Sequence, residues 1–364
     1  MGKSVKGGRL AWIDDAKMFA MVFVILGHCM GDCPDTMPGY YLLKDVMVSF
    51  NMQFFMFLAG YTAYHSLEKV INWYAYKRYV LKIILHLLLP TFAIGIVRAI
   101  ITRDITAVGN EQWFLKMLFR YLFVFATGEL VFAYIASRLR LAGHAAAQSW
   151  LWTSVKYLVF VCLMFLLSKT KLPEFAGYFL SGFLLRKYNL LSRLKGLGIR
   201  RQVPIAILLQ FASLGIVLWT FPIVRGHDFY NEPFWMLFHE SQLPLFAYRQ
   251  LCGFAWIVLL MPIFLLLSRR YTWLSLCGSK TLGLYVIHTF LLHVLVEPMA
   301  LMTYTSCHMG WVGTIFLSLF LTILSLLLIW LIERNRLASF LFLGNDRVLK
   351  YKKRQWIRRK LNSY

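Results

Sequence analysis

Apolar stretches of about 20 residues return along nearly the whole chain, near 12–30, 45–66, 79–101, 113–136, 150–168, 173–187, 203–222, 246–267, 281–305 and 311–333. Most are long enough, at about 1.5 Å per residue, to cross a hydrocarbon layer as a helix. Backbone polar groups in hydrocarbon must be satisfied inside the segment. The expected fold is therefore all-α, a polytopic membrane bundle of about ten transmembrane helices. Composition agrees, since 59% of the 364 residues are hydrophobic and 15% charged, too apolar for a soluble domain of this length. No internal repeat and no Ser/Gly-rich linker divides the chain. One membrane domain is expected over 1–335, followed by a basic cytoplasmic tail, 336–364.

The formal net charge is +23, which by itself would suit a nucleic-acid partner, so the position of each cation decides. Most Lys and Arg fall at the N-terminus, in the loops near 67–78, 137–149, 186–202 and 268–280, and after Glu333, while the alternate loops hold few. The positive-inside rule then puts both termini in the cytoplasm and makes the surplus a topology signal, with no nucleic acid implied. Lys350, Lys352, Lys353, Arg354, Arg358, Arg359 and Lys360 in the tail suit anionic lipid headgroups. The first thirty residues have a basic start, but Asp14, Asp15 and Lys17 interrupt the apolar stretch and no small-x-small site follows, so they read as an uncleaved first span. Six cysteines lack metal-ligand spacing, so no metal centre is expected, and they read as small buried hydrophobes. Cys33 and Cys307 can meet outside the membrane, though spacing does not fix a pairing.

Ionisable side chains at membrane depth are costly and mark functional paths, which singles out Lys17 and His28. They lie about three helical turns, roughly 16 Å, apart on one face of the first span. A neutral imidazole near pH 7 suits proton abstraction, and Asp32, four residues on, is geometrically placed to orient it or is simply a solvated loop carboxylate. Asp14 can pair with Lys17 or favour the helix N-terminus. Arg78, Lys82 and His86 recur every four residues at the start of the third span, either as a ligand-binding ridge or as snorkelling anchors. Lys116 and Arg120 share a face of the fourth span, and a deep Arg120 calls for a partner, Glu129 or a carboxylate on another span, or for a ligand. The loop near 223–247 carries His227, Asp228, Glu232, Phe234, Trp235, His239 and Glu240, a set suited to a sugar-like ligand or to an interfacial belt. His288 and His293 read most simply as satisfied bundle histidines.

Several of these residues stand in motifs that follow one another in a known order. They are Arg9-Leu-Ala-Trp-Ile-Asp14-Asp-Ala-Lys17 with His28, Phe50-Asn-Met-Gln-Phe-Phe-Met-Phe-Leu-Ala-Gly-Tyr61, Lys77-Arg78 to His86-Leu-Leu-Leu-Pro90, Trp113-Phe-Leu115, Phe175 to Lys187, and Gly278-Ser-Lys-Thr-Leu-Gly-Leu-Tyr-Val-Ile-His288. In this order the chain resembles the acyltransferase 3 family of integral membrane acyltransferases, particularly its fucose O-acetylase-like branch. The resemblance implies transfer of an acyl group, usually acetyl from acetyl-CoA, to a hydroxyl of a cell-surface or exopolysaccharide sugar. No permanently bound cofactor is implied, acetyl-CoA being the donor substrate.

On that reading His28 is the base with Asp14 beside it in the catalytic set, and Lys17, Arg78 and Lys82 hold the donor. Asn51, Gln53, Trp113, Arg120 and His288 are acceptor contacts. The carbohydrate acceptor is free or lipid-linked, membrane lipids surround the bundle, and the setting is a bacterial inner membrane. Asn51 and Gln53 depart from the branch pattern Phe-His-Met-Pro-Leu-Phe, and Ala59 replaces a common Ser, so acceptor identity is less constrained than reaction class. A permease or flippase for a lipid-linked glycan is the alternative in which the same charges line a route without chemistry. An enzyme using succinyl or a longer acyl group is another.

Overall fold

The structure is a computed structural model describing residues 10–31, 34–108, 112–138, 150–166, 172–196, 198–225, 242–267 and 273–345. Asp32, Cys33, the 226–241 segment and the lysine- and arginine-rich tail after 345 lie outside the described residues. The helices are α1 (Ala11–Cys29), α2 (Tyr40–Leu67), α3 (Trp73–Ile83), α4 (Leu89–Thr102), α5 (Trp113–Arg138), α6 (Trp150–Leu166), α7 (Leu172–Lys187), α8 (Leu190–Gly196), α9 (Ile199–Val224), α10 (Gln242–Leu267), α11 (Trp273–Gly278), α12 (Thr281–Leu291), α13 (Leu301–Arg334) and α14 (Arg336–Leu343). Among the described residues there is no strand.

Among the described residues, 6 helical segments are long and apolar enough to cross a membrane: Tyr40–Leu67, Trp73–Thr102, Trp113–Ile135, Arg200–Val224, Leu243–Leu266 and Leu301–Arg334. Among the described residues the protein is thus an all-helical, multi-pass membrane bundle. The remaining expected spans fall short by length or charge. Asp14, Asp15 and Lys17 sit in the 19-residue α1, α6 and α7 run 17 and 16 residues, and Thr281–Val296 is a shorter apolar helix.

The chain forms two compact units. The first comprises Met1–Val24, Gly39–Tyr79 and Arg120–Gly278, and the second Ile25–Pro38, Val80–Phe119 and Ser279–Tyr364.

In the first unit α2 and α7 cross at backbone contact, for which the sequence supplies glycine on both sides. A Cβ on Gly60 would stand 1.9 Å from the Phe179 carbonyl oxygen, and one on Gly182 2.0 Å from that of Phe57. Small residues let membrane helices gain dispersion where no hydrophobic effect drives them together. Around this crossing Tyr121, Phe125, Tyr157, Phe160, Phe179 and Phe183 form an edge-to-face and stacked aromatic core. Glu174 of α7 and Arg249 of α10 make a buried ion pair, Nε donating to Oε1 over 2.6 Å. Glu129 pairs with Lys156 of α6 rather than with Arg120, whose side chain is exposed. The expected pairing of Arg120 with Glu129 is corrected here, because α6 brings Glu129 a cation that spacing within α5 could not reveal.

In the second unit α4 packs against α12 and α14. The entry to α4 is a π-helical turn, Ile84–Leu88. Pro90 explains it, since proline lacks the N–H that an α-helix would direct at the His86 carbonyl and its ring crowds that carbonyl. His86 lies in the widened turn and donates from Nδ1 to the Lys82 carbonyl over 2.9 Å. A second π turn, Leu292–Val296, ends just before Pro298. The connection after α1 is tied to α13, Thr36 Oγ1 donating to the Ser306 carbonyl at 2.5 Å and Trp311 Nε1 to that of Pro38 at 2.9 Å. Cys307, beside Ser306, is disulfide-bonded, and Cys33 lies outside the described residues.

Candidate active site

The N-terminal turn of α1 belongs to the first unit and is clamped by α11. Ser275 Oγ donates to Asp15 Oδ1 over 2.6 Å, and a Cβ on Gly278 would fall 1.8 Å from the Asp14 carbonyl oxygen. Glycine is required because the two backbones touch. Asp14 and Asp15 are 5% and 4% exposed, and Lys17, one turn on, is half-buried. Farther along, Phe19 and Phe23 pack on Phe50 of α2, and Phe19 on Phe264 of α10. Phe50 precedes Asn51 and Gln53, both buried. Gln53 Nε2 donates to the Val48 carbonyl over 3.1 Å, while Gln53 Oε1 and Asn51 Oδ1 have no hydrogen-bond partner among the described residues. These two amide oxygens are buried acceptors in search of a donor.

The C-terminal turn of α1 belongs to the second unit. There Gly27 and His28 are exposed although Ile25 and Cys29 on either side are buried. The His28 ring lies 5.6 Å, centroid to centroid, from that of His288 on α12. His288 is fully buried, and its Nδ1 donates to the Leu284 carbonyl over 2.9 Å. That bond fixes the tautomer: the proton sits on Nδ1 and Nε2 keeps a lone pair. Nε2 has no hydrogen-bond partner among the described residues. Tyr285 packs edge-on against His288 at 5.6 Å and against Phe114 at 5.5 Å, which brings the start of α5, with Trp113 and Gln112, to this shell. Gln112 Nε2 donates to the Val286 carbonyl over 3.4 Å. His293 donates from Nδ1 to Glu297 Oε2 over 2.6 Å.

The structure thus brings His28 and His288 together, with Trp113 on the neighbouring α5. Asp14, Lys17, Asn51 and Gln53 are buried or half-buried in the first unit. Arg78 and Lys82 are exposed on α3, one turn apart. The His293–Glu297 pair belongs to none of the sequence motifs, and its i, i+4 spacing is the signal that marks it. Among the described residues no group of three or more His, Cys, Asp or Glu side chains is arranged to hold a metal ion.

What this arrangement can do chemically is hold an imidazole at an accessible helix end, backed by a second imidazole whose Nε2 can accept. Comparison with curated proteins and with solved structures finds no match. The model of the acyltransferase 3 family, described as an acyltransferase domain, matches residues 10–334, which takes in α1 with His28, the π turn before α4 and the His288 helix. The chain belongs to the acyltransferase 3 family of membrane acyltransferases.

Proposed function

We propose that the protein is an O-acetyltransferase that takes acetyl from cytosolic acetyl-CoA and places it on a hydroxyl of a cell-surface or exopolysaccharide sugar. The observation that carries this reading is the imidazole pair at the end of α1, one ring accessible and one buried with a bare nitrogen, in a chain of acyltransferase membership. The sugar oxygen attacks the thioester carbonyl carbon while His28 takes the hydroxyl proton. The C–S bond then breaks, and the imidazolium returns the proton to the departing CoA thiolate, so the base is regenerated. Asp14 stands beside Lys17 on α1, one turn before it, completing the set at that end of the helix.

Lys17, Arg78 and Lys82 are assigned to the anionic donor. The roughly 16 Å along α1 from Lys17 to His28 is of the order of an extended pantetheine arm, so donor entering from the cytoplasmic side can present its thioester near the far end of α1. Asn51, Gln53, Trp113, Arg120 and His288 are assigned to the acceptor. The bundle has about ten spans in a bacterial inner membrane, with both termini cytoplasmic. Two observations support this orientation: the distribution of Lys and Arg among the loops, and the disulfide at Cys307, which suits an oxidising compartment at the start of α13.

The test is turnover by the purified full-length protein with labelled acetyl-CoA and a mixed glycan acceptor. The expected product is an acetyl ester that His28→Ala abolishes. Absence of acetyl-CoA binding would overturn the reading in favour of transport.

A further inference from the structure

Within the first unit the start of α2, the end of α9 and the first half of α10 line a half-open cavity of about 290 Å³. Arg249 lines it at 3% exposure, its Nε engaged by Glu174. Lys44 and Arg225 line it from exposed positions. The remaining polar lining includes Asp45 and the Ser49 hydroxyl, beside the Tyr41 ring. Glu174 balances Arg249, so Lys44 and Arg225 outweigh Asp45 and the cavity favours an anion. The planar fork of Arg225 matches a phosphate, with the Lys44 ammonium as a second cation.

A bare phosphate would gain nothing from Asp45. A carboxylate, a serine hydroxyl and an aromatic ring beside cations match a phosphate that carries a hydroxylated ring, the carboxylate accepting from sugar hydroxyls. The volume sits at the lower end of small-molecule pockets, enough to hold a phosphate with about one sugar. Leu42, Leu218, Trp219 and Leu243 are exposed on the same helix ends, so the surroundings suit an apolar tail. With the N-terminus cytoplasmic, α2 begins on the extracytoplasmic side, where a lipid-borne acceptor would be met.

We infer that this cavity anchors the phosphate and first sugar of a lipid-linked acceptor, with Lys44 and Arg225 on the phosphate and Asp45 on the sugar. The inference rests on the acyl transfer proposed above and names the class of its acceptor. The experiment uses full-length protein in nanodiscs of neutral lipid and measures retention of a polyprenyl-phosphate-linked monosaccharide by native mass spectrometry, with acetyl-CoA binding followed separately. The expected result is retention that falls about tenfold or more in the Lys44→Gln/Arg225→Gln double variant while acetyl-CoA affinity is unchanged. Both side chains are exposed, so the fold should tolerate their loss, and a thermal unfolding curve coincident with wild type checks it. Asp45→Asn should weaken the sugar-bearing lipid and leave polyprenyl phosphate alone unaffected. Equal retention of phosphatidylglycerol would overturn the assignment in favour of a general headgroup site. Undiminished retention in the double variant would overturn it outright. If acetyl-CoA does not bind while the lipid-linked sugar does, the transferase reading fails and the cavity assignment stands.

Discussion

The two ends of α1 are built in opposite ways. At the first, Asp14 and Asp15 are buried, and α11 holds them through a hydroxyl and a glycine pressed against backbone. At the second, His28 is exposed beside an exposed glycine, and its ring faces the His288 imidazole. Over-determination at one end and accessibility at the other is what a helix needs if its role is to present one reactive group at a fixed place. The contrast shows that the acidic end of α1 is held by contacts to its side chains and backbone, while the histidine end is left open to a reaction partner.

That contrast breaks most visibly under His28→Ala, which should lower kcat by about 10²–10⁴-fold, the usual worth of a general base, while the unfolding transition in detergent is unchanged. Equal turnover in this variant would place the chemistry elsewhere. Gly278→Ala should do the reverse, destabilising the protein by about 1–3 kcal/mol because the new methyl meets the Asp14 backbone and neither side can yield cheaply. Thermal unfolding reads this directly, and an unshifted transition would mean that the contact is loose. Ser275→Ala sharpens the comparison by removing a donor to buried Asp15, at about 1 kcal/mol. The smallest effect belongs to Lys280→Ala, which removes the 2.5 Å bond to Glu333 of a pair about one-third exposed, at about 0–1 kcal/mol. A larger loss than that of Ser275→Ala would mean that the second unit relies on this pair.

Much of the architecture was legible in the sequence, because hydrocarbon demands helices and their apolar lengths show. What was not legible came from contacts between distant positions. Glu174 and Arg249 are too far apart in sequence for any spacing rule, and Glu129 found Lys156 on the next helix instead of Arg120 on its own. The π turns also escaped, although Pro90 and Pro298 marked where an α-helix would lose a donor. His28 could be singled out from its motif and its place in an apolar segment. Its neighbour His288 looked like an ordinary satisfied histidine until the Leu284 bond showed which nitrogen was left bare. For Gly278 the motif gave position without reason, and the reason is the Asp14 backbone.

The proposed transfer runs along α1, from a donor held at the Lys17 end to a hydroxyl at the His28 end. Proteoliposomes with a single protein orientation, supplied with labelled acetyl-CoA on one side and sugar acceptor on the other, test it directly. The account predicts acetylated sugar only when the donor is on the side of the N-terminus, and none with His28→Ala. Product formed equally from donor on either side, or undiminished in the variant, would contradict it.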